Sequence, residues 1–156
     1  MPKNDSNIAI KPINEAFTFS TFPFYWTARV SNLYTQEMEK RLKKKGMTIN
    51  GWRVAMILRE TGPLSVSEIA NHAGSRMPTI TKTIYKMRDM NMITIAVKEN
   101  DARVSIAEIT EHGISVINDV LSQTSNLFDI AFSNLSEKEI KTTVACLSKI
   151  YENLAR

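Results

Sequence analysis

Two threonines and two lysines near the middle of the chain recur at the spacing of one helix face. They stand at positions i, i+3, i+4 and i+7 within the run SRMPTITKTIYKM, residues 75–87: Thr79, Lys82, Thr83 and Lys86. A second stripe of the same run is apolar: Ile80, Ile84 and Met87. The two stripes predict a helix that packs on one side and offers hydroxyl and ammonium groups to a partner on the other.

A shorter helix is expected immediately before this one. Ser65 and Glu68 are spaced as a capping box that opens the run SVSEIANHAG, and Gly74 is placed to end it. Pro78 is tolerated in the first turn of the next helix, because the amide that it lacks has no intrahelical partner there. Two helices joined by so short a turn predict a helix-turn-helix, whose second helix fits the DNA major groove.

A β-hairpin is expected after the second helix, which Asn91 is suited to end. The runs 93–97 and 104–109 favour strands, and the segment 98–101 between them favours a turn. Such a hairpin would form the wing beside a helix-turn-helix. Arg103 is placed to reach a phosphate or the minor groove, and Asp101 can orient its guanidinium group.

The basic charge of the chain is concentrated in this region. Residues 76–103 carry six basic and three acidic side chains, a balance of +3 within a formal net charge of +4. Double-stranded DNA is therefore the predicted partner, although the stripe taken alone could be a solvated helix face. The candidate DNA-binding residues are Ser65, Ser75, Arg76, Pro78, Thr79, Thr81, Lys82, Thr83, Lys86, Lys98, Asp101 and Arg103.

Long amphipathic helices are expected on both sides of this core. Apolar residues recur every three or four positions from 22 to 45, from 114 to 135 and from 140 to 154. A small winged core could not cover all of this apolar surface, which predicts a homodimer. We expect an arm (1–19), dimerisation helices (20–47 and 111–156) and a DNA-binding core (48–110) in one intertwined domain. The predicted fold is mainly α with a small β-hairpin wing.

Five short motifs lie in this order between residues 48 and 113. They are Gly62-Pro63-Leu64 after a helix, S-x-x-E-I-A at 65–70, P-T-I-T-K at 78–82, D-A-R at 101–103 and I-T-E-H-G at 109–113. Together they resemble the winged helix-turn-helix core of MarR-family transcriptional regulators. The chain departs from the family at Ser75, where an apolar residue is usual, and at Asn91, where glycine is usual.

The resemblance implies a homodimer that binds a pseudo-palindromic operator and releases it when a small, often phenolic or carboxylate, ligand binds. The leading expectation is a repressor relieved by a small aromatic acid or its thioester. A ligand-independent regulator, an activator and a helical protein-interaction module are the alternatives. Salt dependence would separate DNA binding from a mostly apolar protein interface.

An aromatic cluster near the start of the first long helix could bind such a ligand. An arginine one turn from a tryptophan can pair with a carboxylate while the ring stacks on an aromatic group. The candidate ligand-binding residues are Trp26, Arg29, Tyr34 and Trp52. The alternative is that these rings belong to the dimer core and that Arg29 is an ion-pair partner.

No pattern in the sequence predicts catalysis, a metal site or a cofactor. His72, His112 and Cys146 lack the i+3 or i+4 partners that a metal site would have. The first residues lack the apolar core of a signal peptide, and charged residues interrupt every apolar run. We therefore expect a cytoplasmic protein that is not an enzyme and has no membrane partner.

Overall fold

The computed structural model describes residues 12–13, 15–98 and 101–155, and at 98, 102 and 103 it describes the backbone alone. The chain forms two compact units, one that runs to Ile117 and one that begins at Asn118. Its helices are α1 (Pro23–Leu42), α2 (Ile49–Thr61), α3 (Val66–His72), α4 (Met77–Asp89), α5 (Glu111–Ala131) and α6 (Glu137–Leu154). Its strands are β1 (Leu64–Ser65), β2 (Ile93–Lys98) and β3 (Asp101–Ile109). A mainly helical fold with a small sheet confirms the predicted fold class.

The first long helix ends where its sequence indicates. After Leu42 the chain tightens into a 3-10 turn over Lys43–Lys45, which Gly46 ends with a φ of 65°. Glycine adopts this left-handed conformation without the clash that a Cβ would cause. The inward face of α1 contributes the fully buried Met38 and Leu42 to the core, and α1 lies against α2.

Helix α2 is the central helix of the first unit, in contact with α1, α3, α4 and β3. Thr48 caps its start, because the threonine hydroxyl accepts a hydrogen bond of 3.2 Å from the amide of Gly51. Gly62 ends it, as the Gly62-Pro63 pair predicts. Val54 and Leu58 are fully buried between these termini.

The hairpin predicted after α4 is present, but the sheet has one more strand than we expect from the sequence. Strands β2 and β3 pair antiparallel, with Ile93 opposite Ile109 and Lys98 opposite Asp101. Strand β1 pairs with the other edge of β3 and gives the order β1–β3–β2. A strand of two residues has no alternation to detect, because only its partner far along the chain defines it.

The second unit contains the rest of α5 and the whole of α6. Ser136 opens α6 with a capping box: its hydroxyl accepts from the amide of Glu139, whose carboxylate accepts from the amide of Ser136 at 2.8 Å. The Ser136 hydroxyl, which also donates to the Glu139 carboxylate at 2.6 Å, and then the Ser136 amide lower the pKa of the Glu139 carboxyl. The predicted apolar row of α6 is exposed along most of its length: Val144, Leu147, Tyr151 and Leu154.

Within the described part of the chain, no helix is both long and apolar enough to cross a membrane.

Candidate nucleic-acid interface

The turn between α3 and α4 sets the position of the candidate recognition helix. Gly74 ends α3 with a φ of 56°, and the amide of Ser75 donates a 3.0 Å bond to the carbonyl of Ala70. Arg76 is the exposed N-cap residue of α4. Helices α3 and α4 lie against each other, which confirms the predicted helix-turn-helix.

Helix α4 has one buried stripe and one solvent-exposed face. Ile80, Ile84 and Met87 are buried, as the sequence predicts. The candidate residues that are exposed on α4 are Pro78, Thr79, Lys82 and Lys86. Thr83 is half-buried, and its hydroxyl donates a 2.8 Å bond to the carbonyl of Thr79, one turn earlier. Of the predicted stripe, two lysines and one threonine are therefore solvent-exposed, while Thr83 lies at its margin.

One flank of α4 faces the hairpin and borders a cavity of about 220 Å³. Thr81 and Tyr85 contribute the polar groups of α4 to its lining. The Thr81 hydroxyl donates a 2.9 Å bond to the carbonyl of Met77. Tyr85 is 47 % exposed, and the Arg88 guanidinium carbon lies 4.9 Å from the centre of its ring. Tyr85 is not among the residues predicted from the sequence, although it stands at i+3 from Lys82 and at i+7 from Pro78.

The other flank of α4 carries Lys86, which borders a surface depression. Lys43, at the end of α1, and Thr48, at the start of α2, also border this depression. The basic run after α1 therefore lies beside the candidate recognition helix. This proximity could not be predicted from the sequence, since no periodic pattern connects residues so far apart in the chain.

The remaining candidate residues differ in how accessible they are. Ser65 is buried, because its hydroxyl completes the capping box of α3: it accepts from the Glu68 amide and donates to the Glu68 carboxylate at 2.6 Å. Asp101 is exposed at the start of β3. The side chains of Lys98 and Arg103 lie outside the described residues.

The candidate ligand-binding residues form two groups rather than one. The indole N–H of Trp52 donates to the hydroxyl of Tyr34 at 3.3 Å, and Trp52 is buried. The guanidinium carbon of Arg29 lies 5.9 Å from the ring centre of Trp26 and 5.3 Å from that of Tyr25. Five positions separate Arg29 from Tyr34, which places the two groups on different faces of α1.

The described residues include few carboxyl groups with a shifted pKa and no cluster that could bind a metal ion. Hydrogen bonds from Lys40 and then Arg41 lower the pKa of Glu37, which lies on α1. Within residues 12–13, 15–98 and 101–155, no three histidine, cysteine, aspartate or glutamate side chains lie close enough to hold a metal ion. His72, His112 and Cys146 are all exposed.

A family model and a characterised relative match this chain in sequence. The family model described as MarR family matches residues 47–105. The HTH-type transcriptional repressor IacR of Pseudomonas putida is 38 % identical over 143 residues, which cover 92 % of this chain and 86 % of that protein.

Solved structures share the fold at low sequence identity. A MarR-family transcriptional regulator from Silicibacter pomeroyi is 18 % identical with a TM-score of 0.79, and the match covers 87 % of this chain and 92 % of that one. Bordetella bronchiseptica BpsR, whose DNA binding is described as regulated by 6-hydroxynicotinic acid, is 16 % identical with a TM-score of 0.74. That match covers 86 % of this chain and 96 % of BpsR. Given the helix-turn-helix, the adjoining hairpin and the close relative over most of its length, the chain belongs to the MarR family of DNA-binding transcriptional regulators, which are not enzymes.

Proposed function

We propose that this protein is a homodimeric repressor that binds a pseudo-palindromic operator and is released by a small aromatic acid or its thioester. The observation that carries the proposal is the exposed face of α4, where Lys82 and Lys86 stand opposite a buried stripe on a helix that packs beside the hairpin. Repression is supported by the Pseudomonas putida relative, which is named a repressor. A protein that acts on operator DNA would work in the cytoplasm.

The predicted DNA-binding residues have distinct roles in this proposal. Base edges meet the exposed side chains in the first turns of α4, because a recognition helix enters the groove by its N-terminal half. These are Pro78, Thr79 and Lys82, with Thr83 at the margin. Phosphates meet the residues around them: Ser75, Arg76 and Lys86, together with Lys98 and Arg103 of the hairpin, where Asp101 would orient the Arg103 guanidinium group. Ser65 and Thr81 would support this surface without donating to a phosphate, because their hydroxyl hydrogens are bonded to Glu68 and Met77.

Binding-site selection from random duplexes, followed by salt titration, tests DNA binding. We expect a two-fold symmetric motif and an affinity that falls steeply with salt, since each neutralised phosphate adds about 0.9 to the log–log slope. Arg103→Ala should weaken binding by about 1–3 kcal/mol and flatten that slope. Binding without sequence preference, or affinity that salt leaves unchanged, would contradict the proposal and favour a protein-interaction module.

Exposed apolar surface on two helices supports the homodimer. On α1, Trp26 is nearly half exposed and Val30 and Leu33 are more than half exposed, and Val144 and Tyr151 are more than half exposed on α6. Apolar patches of this kind on a soluble protein usually mark an interface. A second copy of the chain is the simplest partner, because a two-fold operator requires a two-fold protein.

The aromatic groups on α1 and α2 support the effector. Arg29 carries a planar cation beside two rings, which suits a carboxylate attached to an aromatic system. Tyr34 and Trp52 provide a second pair of rings on the inner side of α1. BpsR, whose described regulator is 6-hydroxynicotinic acid, gives an aromatic acid as a first probe.

Titration of the two tryptophans tests the effector site. The chain has only Trp26 and Trp52, so Trp26→Phe and Trp52→Phe each leave one fluorophore. We expect 6-hydroxynicotinic acid, benzoic acid or a benzoyl thioester to change the emission and to bind the free protein more tightly than the operator complex, because coupling is reciprocal. Arg29→Ala should weaken binding of the acid more than Arg29→Lys does. Equal affinity with and without DNA would rule that acid out as the inducer.

A further inference from the structure

The cavity between α4 and the hairpin is lined by hydroxyl and apolar groups. Five of its lining residues carry a hydroxyl: Ser65, Ser67, Thr81, Tyr85 and Ser105. The others are apolar: Val66, Met77, Ile84, Ile95 and Val104. Among the described residues, no carboxylate or cation lines it. Its volume of about 220 Å³ is far more than one water molecule needs.

A DNA strand must pass over this cavity if α4 and the hairpin bind adjacent grooves. One sugar-phosphate strand separates a major groove from the neighbouring minor groove. A recognition helix in the first groove and a wing at the second therefore have that strand between them. We propose, on the basis of the proposed function, that this cavity seats a phosphodiester of that strand through the neutral hydroxyls of Tyr85, Ser67 and Ser105.

The hydrogen bonds that the lining residues already make decide which of their hydroxyls can donate to a phosphate. Ser65 has one hydroxyl hydrogen, and it goes to the Glu68 carboxylate. Thr81 donates its hydrogen to the carbonyl of Met77. Neither of these hydroxyls is free to donate to a phosphate without giving up its present bond.

Tyr85 and Ser67 are the accessible donors. Tyr85 is about half exposed, and Ser67 is exposed. Ser67 lies 3.0 Å from the Ser65 oxygen, and it must be the donor of that pair because the Ser65 hydrogen is engaged. An exposed hydroxyl can rotate outward to a stronger acceptor, and an O–H bond to an anionic oxygen is stronger than one to a neutral oxygen. Ser105 on β3 is half-buried and supplies the third hydroxyl from the opposite wall.

Neutral donors affect the salt dependence of DNA binding differently from lysines. A lysine that meets a phosphate neutralises its charge and releases counterions, so its loss lowers the salt slope. A hydroxyl adds a hydrogen bond and leaves the charge unchanged. The two flanks of α4 should therefore contribute differently, with Lys86 governing salt dependence on one side and Tyr85 adding salt-independent affinity on the other.

Tyr85→Phe in the full-length protein is the first test, because it removes one oxygen and keeps the ring beside Arg88. We expect affinity for the selected operator and for a random duplex to fall by a similar factor, about tenfold, with the salt slope unchanged. Ser67→Ala should act in the same direction. Lys86→Ala is the control, and it should lower the slope by about one. Circular dichroism should give the same melting temperature for wild type and Tyr85→Phe.

Single methylphosphonate substitutions along the operator locate the phosphate. Such a substitution removes one anionic oxygen at one position. At one position per half-site, we expect the methylphosphonate to lower the operator affinity of the wild type but not to lower that of Tyr85→Phe any further. Lys86→Ala should lose affinity at that position as the wild type does. Such non-additivity between Tyr85→Phe and one phosphate is the mark of a direct contact.

Several outcomes would overturn this inference. Additive losses at every position would do so, and so would unchanged DNA affinity in Tyr85→Phe. A third such outcome is a variant that alters only the binding of an aromatic acid. If the wild type itself selects no operator, the proposed function fails as well, so the two failures are distinguishable.

Discussion

On α4, two threonine hydroxyls are already engaged within the helix, and this limits which side chains can read bases. Thr81 and Thr83 donate to the carbonyls of Met77 and Thr79, one turn earlier in each case. A threonine bonded in this way offers a methyl group and an acceptor oxygen, but its hydrogen is in use. Lys82, exposed at the centre of the solvent-facing side, is the donor best placed to meet an acceptor on a base.

Replacing Lys82 with alanine should change which sequences the protein prefers. Lysine donates to the O6 and N7 acceptors of guanine, so we expect the selected motif to lose a base preference at one position in each half-site. Discrimination there should fall by about 1–3 kcal/mol. Binding-site selection with the variant measures this directly.

Lys149→Ala on α6 is the matched control, since it removes the same charge from an exposed site of the second unit. It should leave the motif as it is. An unaltered motif with uniformly weaker binding in Lys82→Ala would instead assign Lys82 to a phosphate.

Among the elements, the start of α5 shows a close approach that the sequence only hints at. Thr110 caps α5: its hydroxyl accepts from the amide of Gly113 at 3.0 Å and donates to the carbonyl of Asn91 at 2.8 Å. Gly113 is buried there, and a Cβ on it would stand 2.2 Å from the carbonyl oxygen of Met92. The glycine of I-T-E-H-G therefore lets the helix lie against the entry of β2.

Replacing Gly113 with alanine should destabilise the first unit. Alanine favours a helix by up to about 1 kcal/mol over glycine, but the clash with the Met92 backbone forces a shift of the kind that costs roughly 1–3 kcal/mol. We expect a lower melting temperature in thermal unfolding. Ser115→Ala, at an exposed position of the same helix, is the control and should leave the melting temperature nearly unchanged. A Gly113→Ala protein as stable as the wild type would show that α5 can move away from β2.

Elements with local signals could be predicted from the sequence, and those defined by distant partners could not. The capping boxes at Ser65 and Ser136 and the left-handed turn at Asn91, with a φ of 56°, are set by neighbouring residues. Strand β1 and the approach of Lys43 to Lys86 depend on tertiary packing. Tyr85 was missed for a related reason, because an aromatic residue beside a buried stripe is usually part of the core.

For the whole molecule, exposed apolar rows on separate helices are what a two-fold assembly would bury. Leu147 is the least exposed of the four large exposed apolar residues on α6, at 44 % of its surface. Its neighbours one turn away on either side, Val144 and Tyr151, are more exposed than it is. A residue in the middle of such a row is where a new charge should disrupt an interface most.

Replacing Leu147 with aspartate should convert the proposed dimer to monomer. A charge buried without a partner in an interface costs about 3–5 kcal/mol, which raises the dissociation constant of a dimer by a factor of about a hundred or more. We expect sedimentation velocity to give a dimer for the wild type and a monomer for Leu147→Asp at the same concentration. Operator affinity should fall when dimerisation is lost, because a monomer binds one half-site at a time. The two half-sites are about one helical turn, roughly 34 Å, apart.

Asn153→Asp supplies the matched control for that experiment. It adds the same single negative charge to α6 on the face opposite the apolar row, where the side chain is exposed. We expect this variant to remain a dimer with unchanged operator affinity, since a charge in water needs no partner. If Leu147→Asp also sediments as a soluble dimer, the interface must use other surface, and the apolar row on α1 from Trp26 to Leu33 is then the next place to introduce a charge.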